Sequence, residues 1–335
     1  MPLIPRVLSP LHMVRSLAPG GVPLLGHAVR VGLHRIFGGP TFDPATAPGD
    51  PGLFGPGSAS WRVIADPAAI VGGLRALLFQ LLHPLAMAGV ADHSRFREDP
   101  LGRLQRTSAY VTVTTFGSTG EVLQAARAVR RVHRTVTGTA PDGRPYRADD
   151  THLLGWVAVT LTSSFLATDR VYAPHPVDRS TADAFVAEQA RAASLLDPRV
   201  DLDAISARPD ALRRGEIRLP MVDDGTLPTS IGALHDRLDA YRPELAVTDQ
   251  SREALRFLLW PAFDPPVKAA YLTVLAGALA TVTPAERRLL GVPTGRLPAA
   301  AAIAHTRATL TALRLAVGSS PAVRAARARA TADAA

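Results

Sequence analysis

Helix patterns follow one another along this chain from about residue 66, and no strand patterns alternate with them. Asp66-Pro67 begins an apolar run with a capping aspartate and a proline in the first turn, and Asp149 and Asp150 precede another. Aromatic residues, which favour strands, make up 5% of the chain, whereas alanine, leucine and arginine dominate. The sequence therefore predicts an all-α fold and disfavours a doubly wound sheet.

Proline, glycine and capping residues predict where the helices begin and end. Pro84 should end or kink the helix before it, and the β-branched run after Tyr110 weakens the helix pattern there. The sequence PDGRP predicts a tight turn. Helices are expected near residues 22–37, 66–83, 100–110, 119–136, 150–168, 180–196, 229–240, 249–259, 266–281, 284–290 and 297–317, with a poorly patterned stretch at 197–227.

Composition divides the chain into three segments. Residues 1–59 form a segment rich in proline and glycine, and the irregular run 38–60 is expected to wrap over another part of the protein. Residues 60–318 are expected to form a single multi-helix domain, and residues 319–335 an Ala/Arg-rich tail that is helical or frayed.

The composition also excludes several kinds of function. Cysteine is absent, so disulfides, thiolate metal sites and cysteine-ligated iron–sulfur clusters are excluded, and any metal must bind histidine or oxygen ligands. The chain has 37 basic and 29 acidic residues, a net charge of +8. The arginines are scattered and no basic cluster is interleaved with aromatic residues, so no nucleic-acid partner is expected.

The most apolar stretch of the chain, residues 68–91, is interrupted by Arg75, His83 and Pro84. A buried core helix is therefore favoured over a membrane span. The N-terminus lacks the continuous apolar run of a signal peptide, which favours a cytoplasmic location. The sequence does not indicate an oligomeric state.

Common catalytic and nucleotide-binding motifs are absent. No phosphate-binding loop, dinucleotide fingerprint, HExxH zinc motif or GxSxG elbow occurs. His83 and His93 are ten residues apart with Pro84 between them, so they do not share a helix face. Each histidine, taken alone, is more typical of a buried or N-cap-linked residue than of a metal ligand.

One helix pattern places a histidine among arginines. On a helix from Val122 to Val136, His133 shares an apolar stripe with Val122, Ala126 and Val129 and should point to the interior. Arg130 lies at the rim of this stripe, and Arg127, Arg131 and Arg134 lie on the polar side. Such an arrangement suits a flat cofactor with carboxylates, because imidazole can ligate iron and guanidinium can pair with a propionate. From the spacing alone, a core histidine bonded to a backbone carbonyl is the simpler interpretation.

The next helix offers no metal ligand on its inward face. That face is predicted from the spacing i, i+4, i+7, i+11 and consists of Leu154, Ala158, Leu161 and Phe165. His152 lies in the first turn on another side, where a surface or capping role is expected.

Several of these segments resemble a known family. They are WRVIADPAAIVGG…LLHPLAMAGVADHSRFREDP, GTAPDGRPYRADD and FLLWPAFDPPVKAAYLTVLAGALATVTPAERRLLGVP, within residues 60–293. Together they are similar to the latex-clearing (rubber) oxygenases and an MpaB-type oxygenase of fungal mycophenolate synthesis. The resemblance implies a single all-α domain that holds haem b and uses dioxygen to cleave olefinic bonds.

The chain departs from the family pattern at one position. It implies a histidine after Trp156-Val157 as the proximal haem ligand, but this chain has Ala158 there. Two alternatives remain. Haem could bind through His133 alone, or the chain has lost haem and uses an apolar cavity at Ala158, Leu161 and Phe165 for ligand binding or non-redox chemistry.

The expected function is a haem-dependent oxygenase-like oxidoreductase acting with dioxygen on a hydrophobic small molecule, isoprenoid or polyketide-like. His133, Arg130 and Arg127 are the candidate catalytic residues, and His133 is the candidate iron ligand. The candidate haem contacts are His133, Arg130, Arg131, Ala158, Leu161, Phe165, His83 and His93, the last two by analogy with the family.

Overall fold

The computed structural model describes residues 42–43, 45–261, 263–292 and 296–332 of the chain. The expected helix at 22–37 lies outside these residues. Within them the chain is a single all-α domain with one short hairpin. Its helices are α1 Ala59–Ile64, α2 Ala68–Gln80, α3 Pro84–His93, α4 Pro100–Phe116, α5 Thr119–His133, α6 Thr151–Tyr172, α7 Arg179–Ser194, α8 Leu202–Ala207, α9 Pro209–Arg213, α10 Pro220–Asp223, α11 Ile231–Tyr241, α12 Asp249–Leu259, α13 Pro265–Ala280, α14 Pro284–Leu290, α15 Arg296–Val317 and α16 Pro321–Thr331.

The centre of the fold is the contact between α2 and α6. Gly72 allows the two helices to approach closely, because a Cβ atom at this position would lie 2.7 Å from Phe165 Cδ1. Leu78 of α2 and Trp156 of α6 are almost fully buried in the largest hydrophobic cluster. The helices α7, α11 and α15 also pack on α6, so this helix fixes the positions of the side chains along it.

The break predicted at Pro84 is confirmed. Helix α2 ends at Gln80, α3 begins at Pro84, and the two are bent by 103°. His83 caps α3, and its Nδ1 accepts the Ala86 N–H at 3.5 Å. Within the described ranges no single helix is both long and apolar enough to cross a membrane, and only this bent pair has the length and composition when taken together.

Helix α4 does not end at Tyr110 but continues to Phe116, through the β-branched residues for which the sequence pattern of a helix is weak. Thr114 and Thr115 donate their hydroxyl groups to the carbonyls of Tyr110 and Val111, one turn back. Both threonines are buried, as is Phe116 at the end of the helix. Tertiary burial thus outweighs the low helix propensity of these residues.

A short hairpin follows α5, which ends at His133 rather than at Val136. Strand β1, Thr137–Thr139, pairs antiparallel with β2, Pro145–Arg147, and the predicted PDGRP turn joins them. The buried Tyr146 of β2 donates its hydroxyl to Asp92 of α3. The hairpin is therefore fixed on α3, between the C-terminus of α5 and the N-terminus of α6.

Two segments with weak sequence patterns are helical. The stretch 197–227 holds the short helices α8, α9 and α10. At the C-terminus, α16 buries Val323 and Ala326 against the second hydrophobic cluster. Arg329 of α16 donates to the carbonyls of Asp50 and Phe116. These contacts join the C-terminal tail and the N-terminal segment to the helical body.

Candidate functional site

His133 is the last residue of α5 and is half-buried, as are its neighbours Val129 and Arg130. Its Nδ1 atom is buried and has no hydrogen-bond partner. Burial lowers the pKa of His133, although the nearby Asp149 carboxylate opposes the shift. The ring is therefore neutral near pH 7, the form in which imidazole ligates metals. The predicted stripe holds along the helix, since Val122 and Ala126 are fully buried.

Arg130 binds the backbone of the segment after α7. Its Nε donates to the Leu195 carbonyl and its Nη1 to the Val200 carbonyl, both at 2.8 Å. Its third nitrogen, Nη2, is buried without a partner. Burial lowers the pKa of Arg130, and the Asp197 carboxylate opposes this shift. Two of the three guanidinium nitrogens thus have a structural role, and Nη2 remains without a partner.

Tyr110 of α4 is close enough to Arg130 for the two to interact electrostatically. Its hydroxyl is buried without a hydrogen-bond partner. Burial raises the pKa of Tyr110, and the Arg130 charge opposes the shift. No sequence motif singles out Tyr110, which lies seven residues after Arg103 and so on the same face of α4.

The other arginines of α5 are differently placed. Arg127 pairs with Asp203 of α8 at 2.5 Å. Arg131 is exposed. Neither arginine binds the unpartnered atoms of Tyr110, Arg130 and His133.

The inward face of α6 is as apolar as predicted, but it is packed. Leu154 and Phe165 are buried, while Ala158 and Leu161 are half-buried. Phe165 packs edge-on against Phe185 of α7, with ring centroids 6.5 Å apart. The gap beside Ala158 holds about 180 Å³, part of it open to solvent. Small-molecule sites enclose roughly 300–1,000 Å³, so this gap is too small for a porphyrin.

A larger apolar groove of about 710 Å³, partly open to solvent, lies elsewhere. Helices α2, α3, α4, α12 and α13 form its walls, and most of the lining is leucine, phenylalanine, valine and methionine. Of the described side chains that line it, only Arg103 is charged, and burial lowers its pKa to about 10. Arg103, Thr107 and Tyr110 share one face of α4, so Tyr110 lies about one turn beyond the groove lining on that face.

His83 and His93 lie at two other places. The His93 Nε2 lies 3.2 Å from both the Thr137 carbonyl and the Tyr146 hydroxyl, where it holds the hairpin. His83 is fully buried, and its Nε2 lies 3.2 Å from Glu244 Oε2. The structure thus confirms that His83 is buried and N-cap-linked, whereas His93 is exposed at the end of α3 and the same expectation is wrong for it.

Glu244 also contacts His152, whose Nε2 lies 2.8 Å from Oε2 and 2.9 Å from Oε1. Burial lowers the pKa of His83, and Glu244 opposes the shift. Burial acts to raise the pKa of Glu244, but hydrogen bonds and charge from His152 and His83 lower it overall. This cluster could not be found from the sequence, because no motif connects Glu244 with histidines 161 and 92 residues away.

The described residues thus form an all-α domain with an apolar groove, and His133, Arg130 and Tyr110 each carry a buried polar atom without a partner. A family model described as "ER-bound oxygenase mpaB/B'/Rubber oxygenase, catalytic domain" matches residues 61–315, most of the chain. The chain belongs to this family of oxygenases. No curated protein and no solved structure matches it significantly.

Proposed function

We propose that this protein is a haem-dependent oxygenase-like oxidoreductase that uses dioxygen to oxidise a hydrophobic small molecule of isoprenoid or polyketide type. One observation carries the proposal. Of nine buried side-chain polar atoms without a partner in the described residues, three belong to Tyr110, Arg130 and His133. Each such atom costs about 1–3 kcal/mol when it is buried without a bond. A ligand that contacts all three would remove this cost.

Haem b fits the chemistry of these three atoms. A neutral His133 imidazole supplies a nitrogen for iron, and the Arg130 Nη2 supplies a buried donor for a propionate. The Tyr110 hydroxyl supplies a donor or an acceptor beside them. Bound haem would supply dioxygen binding and the associated electron transfer. The protein would hold the iron through His133, neutralise a carboxylate with Arg130 and exclude water with the apolar stripe of α5.

Arg127 and Arg131 support this proposal less than Arg130 does. Arg127 already has a carboxylate partner in Asp203, and Arg131 is exposed. Their assignment to haem or oxygen contacts stays a prediction. The same holds for His83 and His93, which have hydrogen-bond partners of their own.

The apolar groove is the proposed substrate site. Its lining would bind a hydrocarbon chain through burial of apolar surface, at roughly 25 cal/mol per Å². The α4 face that carries Arg103 and Thr107 leads to Tyr110, so a substrate in the groove would lie beside the proposed haem position. This placement supports oxidation of a long apolar molecule at one point along its length.

Ala158 bears on the alternative that the chain has lost haem. The gap beside it is too small for haem and is lined by no histidine, so the iron would depend on His133 alone. A protein without haem would keep the groove and bind an apolar ligand there without redox chemistry. A haem-binding protein would be coloured, and its colour would depend on His133. A protein without haem would be colourless, and its ligand binding would not depend on His133.

Absorption spectroscopy tests the proposal. Protein expressed with added haem precursor should show a Soret band that shifts on reduction and with carbon monoxide. His133→Ala should abolish or shift this band, whereas His175→Ala, at an exposed position, should leave it unchanged. Protein that stays colourless and takes up no hemin contradicts the oxygenase proposal. A spectrum unchanged by His133→Ala rejects His133 as the ligand.

A further inference from the structure

We propose that His83, His152 and Glu244 form a binding site for a divalent transition-metal ion, separate from the haem position proposed at His133. The three residues come from the α2–α3 bend, the first turn of α6 and the 3-10 turn Arg242–Glu244. One ligand atom from each lies within 4.8 Å of the other two. Two imidazoles and one carboxylate are a common ligand set for zinc and iron(II).

The distances suit an ion placed between the three atoms. With metal–ligand bonds of about 2.1 Å, neighbouring ligand atoms lie roughly 3.0 Å apart in an octahedral site and 3.4 Å apart in a tetrahedral site. Here the His83 Nε2 lies 3.2 Å and the His152 Nε2 2.8 Å from the same carboxylate oxygen, Glu244 Oε2. The His152 Nε2 has to move away from Oε2 to reach either spacing, and the two imidazole nitrogens lie within 4.8 Å of each other.

Contacts around the cluster hold its three segments together. The Tyr241 hydroxyl donates to the His152 carbonyl at 2.8 Å, and the Ala246 N–H donates to the Leu82 carbonyl at 2.8 Å. The His83 ring packs against Trp156, with ring centroids 5.8 Å apart. The segment after α11 is thus joined both to α6 and to the bend before α3. Such supporting bonds fix the ligands before a metal binds.

One side of the cluster faces solvent. The His83 side chain is 0% exposed, whereas those of His152 and Glu244 are 45% and 33% exposed. A metal would therefore have three protein ligands on its inner side and open positions for water or a small substrate outside. This arrangement is typical of a catalytic or exchangeable site rather than a closed structural one.

Metal binding has to displace protons from this cluster. In the metal-free cluster each Nε2 donates its proton to Glu244, and a metal takes the place of both protons. The proton of a neutral, metal-bound His83 would then lie on Nδ1, and the long 3.5 Å bond from the Ala86 N–H would be lost. We therefore expect weaker affinity than in closed zinc sites. Imidazole ligands exclude magnesium and calcium as the preferred ions.

Metal titration tests the site in the full-length protein. Protein treated with a chelator and titrated with Zn²⁺ by calorimetry, and with Co²⁺ by absorption, should bind one ion per chain. Glu244→Gln and His152→Ala should each weaken this binding at least about tenfold. His175→Ala and His133→Ala should bind as the wild type does, and Mg²⁺ should not compete.

Two results would overturn the proposal. One is that folded wild-type protein binds neither Zn²⁺ nor Co²⁺ stoichiometrically. The cluster would then be only a set of hydrogen bonds that joins three segments of the fold. The other is binding that persists unchanged in both Glu244→Gln and His152→Ala. Circular dichroism of the variants separates loss of the site from loss of the fold. Because neither result depends on hemin uptake, failure here and failure of the haem proposal are distinguishable.

Discussion

Asp169 is a buried carboxyl near the end of α6, only 4% exposed. It accepts the Val177 N–H at 2.9 Å. Burial raises the pKa of Asp169; the Val177 N–H opposes this and the charge of Asp66 adds to it. The folded protein therefore holds the proton to a higher pH than the unfolded chain, whose aspartate has the ordinary pKa of 3.8. Stability is lost as the pH rises from the unfolded pKa through the folded pKa, because the unfolded state binds fewer protons there.

The substitution Asp169→Asn removes this titration and keeps an acceptor for the Val177 N–H. We expect the variant to be more stable than the wild type at pH 7, by up to about 1 kcal/mol, and the difference to vanish below about pH 4. Thermal unfolding of both proteins between pH 3.5 and 8 measures it. A difference that stays the same at every pH would show that Asp169 is unperturbed.

At the scale of single residues, the sequence predicted whether a side chain is buried better than it predicted which residues the side chain contacts. The helical spacing placed His133 on the apolar stripe, and the residue before Pro84 was expected to be buried or linked to a cap; both hold. The role of His133 as an iron ligand stays a prediction. Glu244 and Tyr110 could not be found in the same way. A helical period relates residues within one helix, whereas these contacts join separate helices and depend on how the helices pack.

The contact between α2 and α6 offers a matched pair of glycines. A Cβ at Gly72 would lie 2.7 Å from Phe165 Cδ1 and 2.7 Å from Thr168 Oγ1, whereas one at Gly73 would meet nothing within 4 Å. Gly72→Ala should therefore destabilise the protein by about 1–3 kcal/mol through overpacking. Gly73→Ala should stabilise it by about 0.5–1 kcal/mol, because alanine loses less backbone entropy in a helix.

Chemical denaturation of the two variants and the wild type measures these differences. Both variants add the same methyl group to the same helix. Changes of opposite sign in the free energy of unfolding would therefore isolate the effect of the helix contact. Equal changes of either sign would contradict the close approach of α2 and α6.

At the scale of elements, the sequence predicted the helices where local signals were strong. The bounds of α12 and α14 match the prediction to the residue, because capping threonines and prolines define them. The prediction ended α4 six residues early, since burial of Thr114 and Phe116 decides that region. The hairpin after α5 was missed: only its turn has a sequence signal, and the strands of three residues each are too short to show alternation.

At the scale of the whole molecule, the C-terminal tail is part of the packed structure. Val323 and Ala326 of α16 are buried, and Arg329 donates to two backbone carbonyls. Truncation after residue 318 should therefore cost several kcal/mol, from burial of about 1.5–3 kcal/mol per large apolar side chain and the lost hydrogen bonds. Thermal unfolding measures the loss, and removal of residues 333–335 alone is the control. An unchanged melting temperature after the longer truncation would contradict the packing of α16.

The groove and the proposed haem position share helix α4 but no described side chain, so ligand binding and haem binding can be separated. Leu77 lines the groove, and Leu77→Trp would fill part of its volume. We expect this variant to bind a fluorescent apolar probe at least about tenfold more weakly, because filled space cannot bury the probe. Its Soret band should stay that of the wild type. Leu272→Trp is the control, because Leu272 is 38% exposed and outside the groove lining. Equal probe affinity in both variants would place the apolar ligand elsewhere.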